Sequence, residues 1–268
     1  MKIEVKDVCQ STGSFRLSNI SFCIHGGKIN GIGGKNGSGK STLLNLLYGY
    51  RKPESGSILL DGRDIGSYAE HELSRKMAIV RQEAPEPINF SANDVISVFG
   101  FTNGHGKKEM KEILDMCHIA HLEHRDFNSL SGGEKRLIMI AGAIFQDSEM
   151  ILMDEPTTFL DVDKDAFVQS LIMDLKSRGK TVVVILHDVN LLYRLCDNVI
   201  FLREGKVVAE GPPESVFLPG TLKRIFDVDF ISYDSPEGKR FVSARAVAGS
   251  SVNVSGSDVY ASGGSRQV

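Results

Sequence analysis

Apolar and polar residues alternate at the start of the chain, and Ile3–Val8, Phe15–Ile24 and Lys28–Ile32 read as β-strands. A glycine-rich turn follows, then a strongly apolar helix from about Lys40 to Tyr50. Ser57–Leu60 and Met77–Val80 predict further strands, with Asp61-Gly62 as turn chemistry between them. Strand signals stop between Glu83 and Glu134. There Ala92–Phe99 and Lys107–His118 read as helices joined by the loop Thr102–Gly106. Strands resume at Met150–Met153 and Val182–Leu186, each followed by a helical pattern, and Val199–Leu202 with Val207–Ala209 suggests a closing hairpin. Strands alternating with helices imply a parallel, helix-covered sheet. The all-helical middle implies an inserted subdomain. From Ala244 the chain is rich in Ala, Gly, Ser and Val with few charges, and a disordered tail is expected.

Composition narrows the function classes. A net charge of -3 gives no support for a polyanionic partner, so nucleic acid is not expected. Cys9, Cys23, Cys117 and Cys196 are scattered without a CxxC pair, which reads as reduced thiols rather than disulfides or a metal knuckle. The N-terminus lacks the apolar core of a signal peptide. Leu137–Phe145 is too short to span a bilayer and reads as a core helix. The expected location is cytoplasmic, with any membrane association made through a partner. His118, His121 and His124 are spaced by three, a spacing that drifts around a helix, and with Glu123 and Asp126 nearby they read as an exposed polar face. Gly104–Lys108 lacks a preceding strand and reads as a surface loop.

The chemistry begins with Gly34, Lys35, Asn36, Gly37, Ser38, Gly39, Lys40 and Ser41, which match G-x-x-x-x-G-K-[ST] between a strand and a helix. Glycines let successive N–H groups wrap a phosphate, and the following helix adds its positive end. Lys40 is expected to reach the β- and γ-phosphates, Ser41 to place its hydroxyl on Mg²⁺, and Thr42 to bond the α-phosphate. Met150–Met153 then leads into two adjacent acids, Asp154 and Glu155. Four apolar residues in a row suit a strand covered on both faces, and acids at its end fall where open α/β sheets bind ligands. Asp154 is the candidate Mg²⁺ ligand, and Glu155 is the candidate base for the attacking water.

Leu130-Ser131-Gly132-Gly133-Glu134, just upstream of that strand, resembles the signature motif of ABC ATPases. The resemblance implies that Ser131, Gly132 and Gly133 bind the γ-phosphate of an ATP held by a second subunit, hence a dimer with two shared sites. Gln82 matches the Q-loop glutamine, which senses Mg²⁺ and couples to the membrane partner. Pro156–Asp161 is similar to the run carrying the D-loop, ending at Asp161. His187-Asp188 matches the switch histidine. These motifs, in family order, cover about Ile3 to Val216. The implied fold is α/β: a P-loop NTPase (RecA-like) core with a mostly parallel sheet, an antiparallel β subdomain and an inserted helical subdomain. The boundaries expected are 1-243 for the ATPase domain, approximately 86-144 for the helical insert and 244-268 for the tail.

Two positions depart from the family pattern. The aromatic that usually stacks on adenine near Ser11-Thr12 is missing, and Phe15 nearby reads as a strand residue. Leu137 and Gly142 stand where many members carry arginines. Gly133–Ala143 and His187–Phe217, with the run Leu222–Val228, resemble importers of iron chelates, haem and cobalamin. The segment between Phe99 and Lys107 is shorter than in that group, and Gly100-Phe101 replaces its usual Gly-Arg. The resemblance therefore implies an ATP- and Mg²⁺-dependent subunit, a homodimer or a paired subunit, on the cytoplasmic face of the membrane. Its implied partners are an integral membrane permease and, indirectly, an extracytoplasmic substrate-binding protein. A soluble ATPase driving assembly of a cytosolic iron–sulfur complex, or an efflux subunit, are the alternative readings.

Overall fold

The structure is a computed structural model that describes residues 1–82, 89–100, 107–235 and 238–244. The expected tail beyond Ala244 and most of the loop at Gly104–Lys108 lie outside the described residues. In its first part run β1 (Ile3–Thr12), β2 (Phe15–Ile24), β3 (Ile29–Gly34), α1 (Lys40–Leu47), β4 (Ser55–Leu60), β5 (Arg63–Asp64), α2 (Glu70–Lys76) and β6 (Met77–Val80). β1 is longer than its alternating pattern predicts because the pattern is interrupted by register shifts against β2 between Val5 and Gln10. Asp7 and Asn19 take left-handed backbone there, which short polar side chains tolerate.

The middle is helical, as the sequence predicts: α3 (Ala92–Gly100), α4 (Lys107–Met116) and α5 (Gly132–Phe145). α5 begins with a capping box in which Ser131 and Glu134 satisfy each other's backbone amides. The last part holds β7 (Met150–Asp154), α6 (Val162–Ser177), β8 (Thr181–Ile185), α7 (Val189–Leu195), β9 (Asn198–Arg203), β10 (Lys206–Gly211), α8 (Pro213–Val216), α9 (Pro219–Phe226), β11 (Asp229–Ser235) and β12 (Gly238–Ala244).

The central sheet has the order β10-β9-β3-β8-β7-β6, and all its pairs are parallel except β9 with β10. A separate antiparallel sheet, β2-β1-β4-β5, matches the expected β subdomain. The period of two sorts the central strands between two cores. Ile151, Met153, Val182 and Val184 face the core shared with α3–α7, whereas Met150, Leu152, Val183 and Ile185 face α1 and the antiparallel sheet. All eight are buried, each contributing about 1.5–3 kcal/mol for the larger side chains. This two-sided burial is why the strands read as unbroken apolar runs.

The hairpin β11–β12 carries too few large apolar residues to stand alone. It is docked through Phe241, which is buried among Tyr193 and Phe217. Asn190 fastens it further, exchanging two hydrogen bonds with the Phe241 backbone at 2.7 and 3.0 Å.

Candidate functional site

Sheet order decides what can meet. β3, β8, β7 and β6 are consecutive neighbours running in one direction, so the loops leaving their C-terminal ends share one edge. Those loops carry the glycine-rich turn, His187, Asp154-Glu155 and Gln82. They line one cavity of about 710 Å³, into which Asn36, Gly37, Gly39, Lys40, Ser41, Thr42, Gln82, Glu155 and His187 all project.

The turn is shaped by two glycines in particular. Gly34 has φ +140°, and a Cβ there would sit 2.2 Å from the Leu202 carbonyl oxygen. Gly39, with φ +102°, ends the turn, and a Cβ would strike the Phe15 and Leu17 side chains at 2.6–2.8 Å. Any other residue is strained at either positive φ, and at Gly34 it also collides with backbone. No side chain caps α1, so its first turn opens towards the cavity without a side-chain acceptor. Lys40 is buried and donates to the carbonyls of Gly34 and Lys35, each at 3.0 Å. Burial holds its ammonium below the usual lysine range, while the charges of Glu155 and Asp154 oppose that shift. Ser38 is buried and its hydroxyl has no partner.

Asp154 ends β7 at 8% exposure, and its Oδ1 is buried without a hydrogen-bond partner. Burial raises its carboxyl above the usual aspartate range, against a hydrogen bond from Ser41 and the charge of Lys40. A buried, under-coordinated carboxylate oxygen beside a serine hydroxyl is a donor set suited to a hard cation such as Mg²⁺. These residues therefore fit the metal that the motif implies.

Glu155 lies one residue on, with a left-handed φ of 50°. That turn swings its side chain away from the strand register into the cavity. Its carboxylate accepts from Gln82 Nε2 at 3.0 Å and from Thr158 Oγ1 at 3.2 Å, and its other oxygen contacts His187 Nε2. Three loops thus converge on one carboxylate.

Four cavity residues were not among the expected set. Thr158 holds Glu155, and Phe159, Thr12 and Phe15 form part of the wall. Phe159 is 91% exposed with φ +64°, an unusual conformation for an aromatic residue. Phe15 is the strand residue that the pattern indicated, yet as the first residue of β2 it also faces the glycine turn. An aromatic wall is therefore present, three residues beyond where the family pattern puts it.

Ser131, Gly132 and Gly133 do not line this cavity. They open α5, where Glu134 accepts from Ser131 N at 2.8 Å and Oγ at 2.7 Å, and nothing lies within 4 Å of a Cβ built on Gly132. Asp161 precedes α6 without capping it, is exposed, and has Lys164 at 4.0 Å. His118, past the end of α4 with φ 56°, stacks on Phe167, and His124 is exposed. Leu137–Phe145 is buried within α5, and no helix among the described residues is long and apolar enough to cross a membrane.

Residues 17–158 match the family model described as ABC transporter. The chain belongs to the ABC transporter family. The activity of that family's ATP-binding cassettes, ATP hydrolysis coupled to transport, is therefore the activity of this ABC subunit. It is 33% identical to a petrobactin import ATP-binding protein of Bacillus subtilis, over 84% of this chain and 93% of that one. It is also 33% identical to a hemin import ATP-binding protein of Pseudomonas entomophila, over 82% of this chain and 90% of that one. Among solved structures, a metal-chelate type ABC transporter in an inward-facing conformation superposes with a TM-score of 0.78 at 27% identity, covering 91% of this chain and 98% of its own. A dimeric ATP-binding cassette in a post-hydrolysis state, bound to ADP and phosphate, gives 0.72 at 28% identity, covering 79% and 98%.

Proposed function

We propose that this ABC subunit powers import of an iron-chelate, haem or cobalamin-type cargo. It acts as a homodimer, or paired with a similar subunit, beneath an integral membrane permease on the cytoplasmic face. An extracytoplasmic binding protein delivers the cargo. The import reading is supported by relatives named for petrobactin, hemin and cobalamin import. The ATPase domain is placed at 1-243 with the helical subdomain at approximately 86-144; α3–α5 falling between the parallel neighbours β6 and β7 supports that division.

The mechanism rests on one observation: a buried glutamate gripped from three loops at the edge of a phosphate-binding turn. The turn from Gly34 to Gly39 wraps the phosphates, Lys40 exchanges its two loop carbonyls for phosphate oxygens, and Thr42 binds beside it. Asp154 and Ser41, with Gln82 alongside, would hold Mg²⁺, which would supply charge neutralisation to the phosphates. Glu155 orients the attacking water and takes its proton. Because Gln82, Thr158 and His187 already occupy its oxygens, they fix the carboxylate's direction before water arrives. His187 reads the γ-phosphate. Ser131, Gly132 and Gly133, at the head of α5, complete the site of the partner subunit together with Asp161. Closure of the pair excludes water, and hydrolysis releases it.

A tagged Glu155→Gln subunit, held with ATP·Mg²⁺ and gently extracted from native membranes, is expected to elute as a dimer bound to a polytopic permease. A monomer in size-exclusion chromatography with ATP would overturn the shared site, and a dimer bound to soluble partners alone would overturn the importer reading.

A further inference from the structure

Arg136 is a buried cation that the proposed mechanism leaves unused. It sits on α5, five residues beyond Ser131, at 8% exposure. Its guanidinium donates through Nη1 to the Arg81 carbonyl at 2.5 Å and through Nη2 to the Gln82 carbonyl at 2.7 Å. Those carbonyls lie just past β6, an edge strand of the central sheet. The carboxylates whose charge acts on it are Asp154 and Glu155. A planar fork of donors suits two adjacent carbonyls in a way that a point charge does not.

The other end of the same helix is also fastened. Gln146, at the C-cap of α5, donates to the Met77 carbonyl at 2.9 Å and to the Ser74 carbonyl. α5 is thus pinned antiparallel to β6 at both of the strand's ends. Ten residues of helix from Arg136 to Gln146, at about 1.5 Å each, span about 15 Å. The extended stretch from Met77 to Gln82, β6 and the two residues past it, at about 3.3 Å per residue, spans nearly the same distance, about 16 Å. The match lets both attachments hold without strain, so the helix and the strand exit move as one body.

We propose that Arg136 is a positioning residue that ties the head of α5 to the Gln82 loop, so that docking of a nucleotide on Ser131–Gly133 is transmitted to the carboxylate cluster of the same chain. The path is continuous: Arg136 holds the Gln82 backbone, the Gln82 side chain holds Glu155, and Glu155 contacts His187. In a pair that shares its sites, this links one site to the other. The inference rests on the proposed roles of Gln82 and Glu155.

The test compares Arg136→Met and Arg136→Lys with wild type and with Glu155→Gln, as full-length subunits. ATP affinity, kcat and the Hill coefficient are measured, each per folded protein. Arg136→Met is expected to lower kcat about 10–100-fold, the range for residues that orient a ligand from behind. ATP affinity should be unchanged and the Hill coefficient should fall towards one. Arg136→Lys, keeping charge but not the fork, should fall between Met and wild type, and it decides the matter if the Met variant does not fold. An unchanged kcat and Hill coefficient with a lowered Tm would reduce Arg136 to a structural role and overturn the proposal. A loss of kcat that tracks lost ATP affinity would overturn it too. If Glu155→Gln retains the wild-type rate, the proposed carboxylate role fails. If Glu155→Gln loses activity while the Arg136 variants keep theirs, only the link fails.

Discussion

Two glycine-rich turns of this chain are in opposite states. The turn from Gly34 to Ser41 faces a cavity crowded with its own chemistry: Lys40, Glu155, Gln82 and His187 all line it, and both oxygens of the Glu155 carboxylate have partners. The Ser131–Gly133 turn at the head of α5 has the same glycine-rich build, but Ser131 and Gly132 are exposed while Gly133 packs against Leu160 and Lys164, and the serine is held by its own capping box. One turn is furnished by the fold of a single chain, and the other is the one proposed above to serve a second subunit. The contrast implies that damage at the first should act within the chain, and damage at the second across a pair.

Glu155→Gln tests the furnished site and should show the largest effect. The neutral amide keeps the volume and a contact to Gln82 but cannot take a proton, so kcat should fall about 10²–10⁴-fold. ATP binding, followed with a fluorescent analogue, should persist. A single-turnover rate equal to wild type would remove Glu155 from the role assigned to it.

Ser131→Arg tests the open feature. Its bulk and charge lie outside the cavity of its own chain, so nucleotide binding by that chain should be intact. Steady-state hydrolysis should fall about 10²–10³-fold, as for loss of a donor to developing charge. Mixing Ser131→Arg with Lys40→Ala then separates the two features. Each variant is inactive alone, but a mixed pair keeps one whole site and should recover activity well above either parent. If mixing restores nothing while both variants bind one another, the two features do not belong to one shared site.

The furnished site was more legible in the sequence than the walls around it. The phosphate turn and the Asp154-Glu155 pair announce themselves through short motifs flanked by a strand, and the central sheet follows from apolar runs such as Met150–Met153 and Val182–Leu186. Gln82 and His187 were found by order along the chain, yet their meeting on Glu155 depends on β6, β7 and β8 being neighbours, which no local spacing states. Thr158 was within reach, since it follows Glu155 by three residues in a turn. Phe159 was not, because its part in the wall depends on a left-handed backbone that nothing in its residue type suggests. Phe15 illustrates a different limit. The pattern rightly places it on a strand, but its contact with Gly39 arises from how the antiparallel sheet sits over the phosphate turn. The hairpin β11–β12 was missed because its stability comes from Phe241 packing on Tyr193 of α7 and bonding to Asn190 there, not from its own alternation.

Phe15→Ala should have a smaller and purely binding effect. Stacking of a base on an aromatic contributes about 1–3 kcal/mol, so nucleotide affinity should fall by about 5–150-fold with kcat at saturation little changed. Stacking tolerates any base, and ATP and GTP should lose affinity alike. An unchanged Kd would mean that Phe15 shapes the glycine turn without touching the base.

The smallest effect is on stability and has the unusual sign. Burial raises the Asp154 carboxyl above its unfolded value, so the folded chain binds its proton more tightly than the unfolded chain does. That preference stabilises the fold at acid pH and is lost as pH rises through the raised pKa, leaving an ionised, under-coordinated carboxylate at neutral pH. Asp154→Asn removes that charge while keeping the shape. Without nucleotide or metal, the variant should melt about 2–4 °C above wild type at neutral pH, the shift that corresponds to about 1 kcal/mol in a chain of this size. The gain should shrink as the pH is lowered and the wild-type carboxyl takes up its proton. Added Mg²⁺ and ATP should reverse the order, stabilising the wild type and leaving the variant behind. If the two proteins melt together at neutral pH, the Lys40 and Arg136 charges already compensate the Asp154 carboxylate, and the furnished site carries no strain in the absence of its ligands.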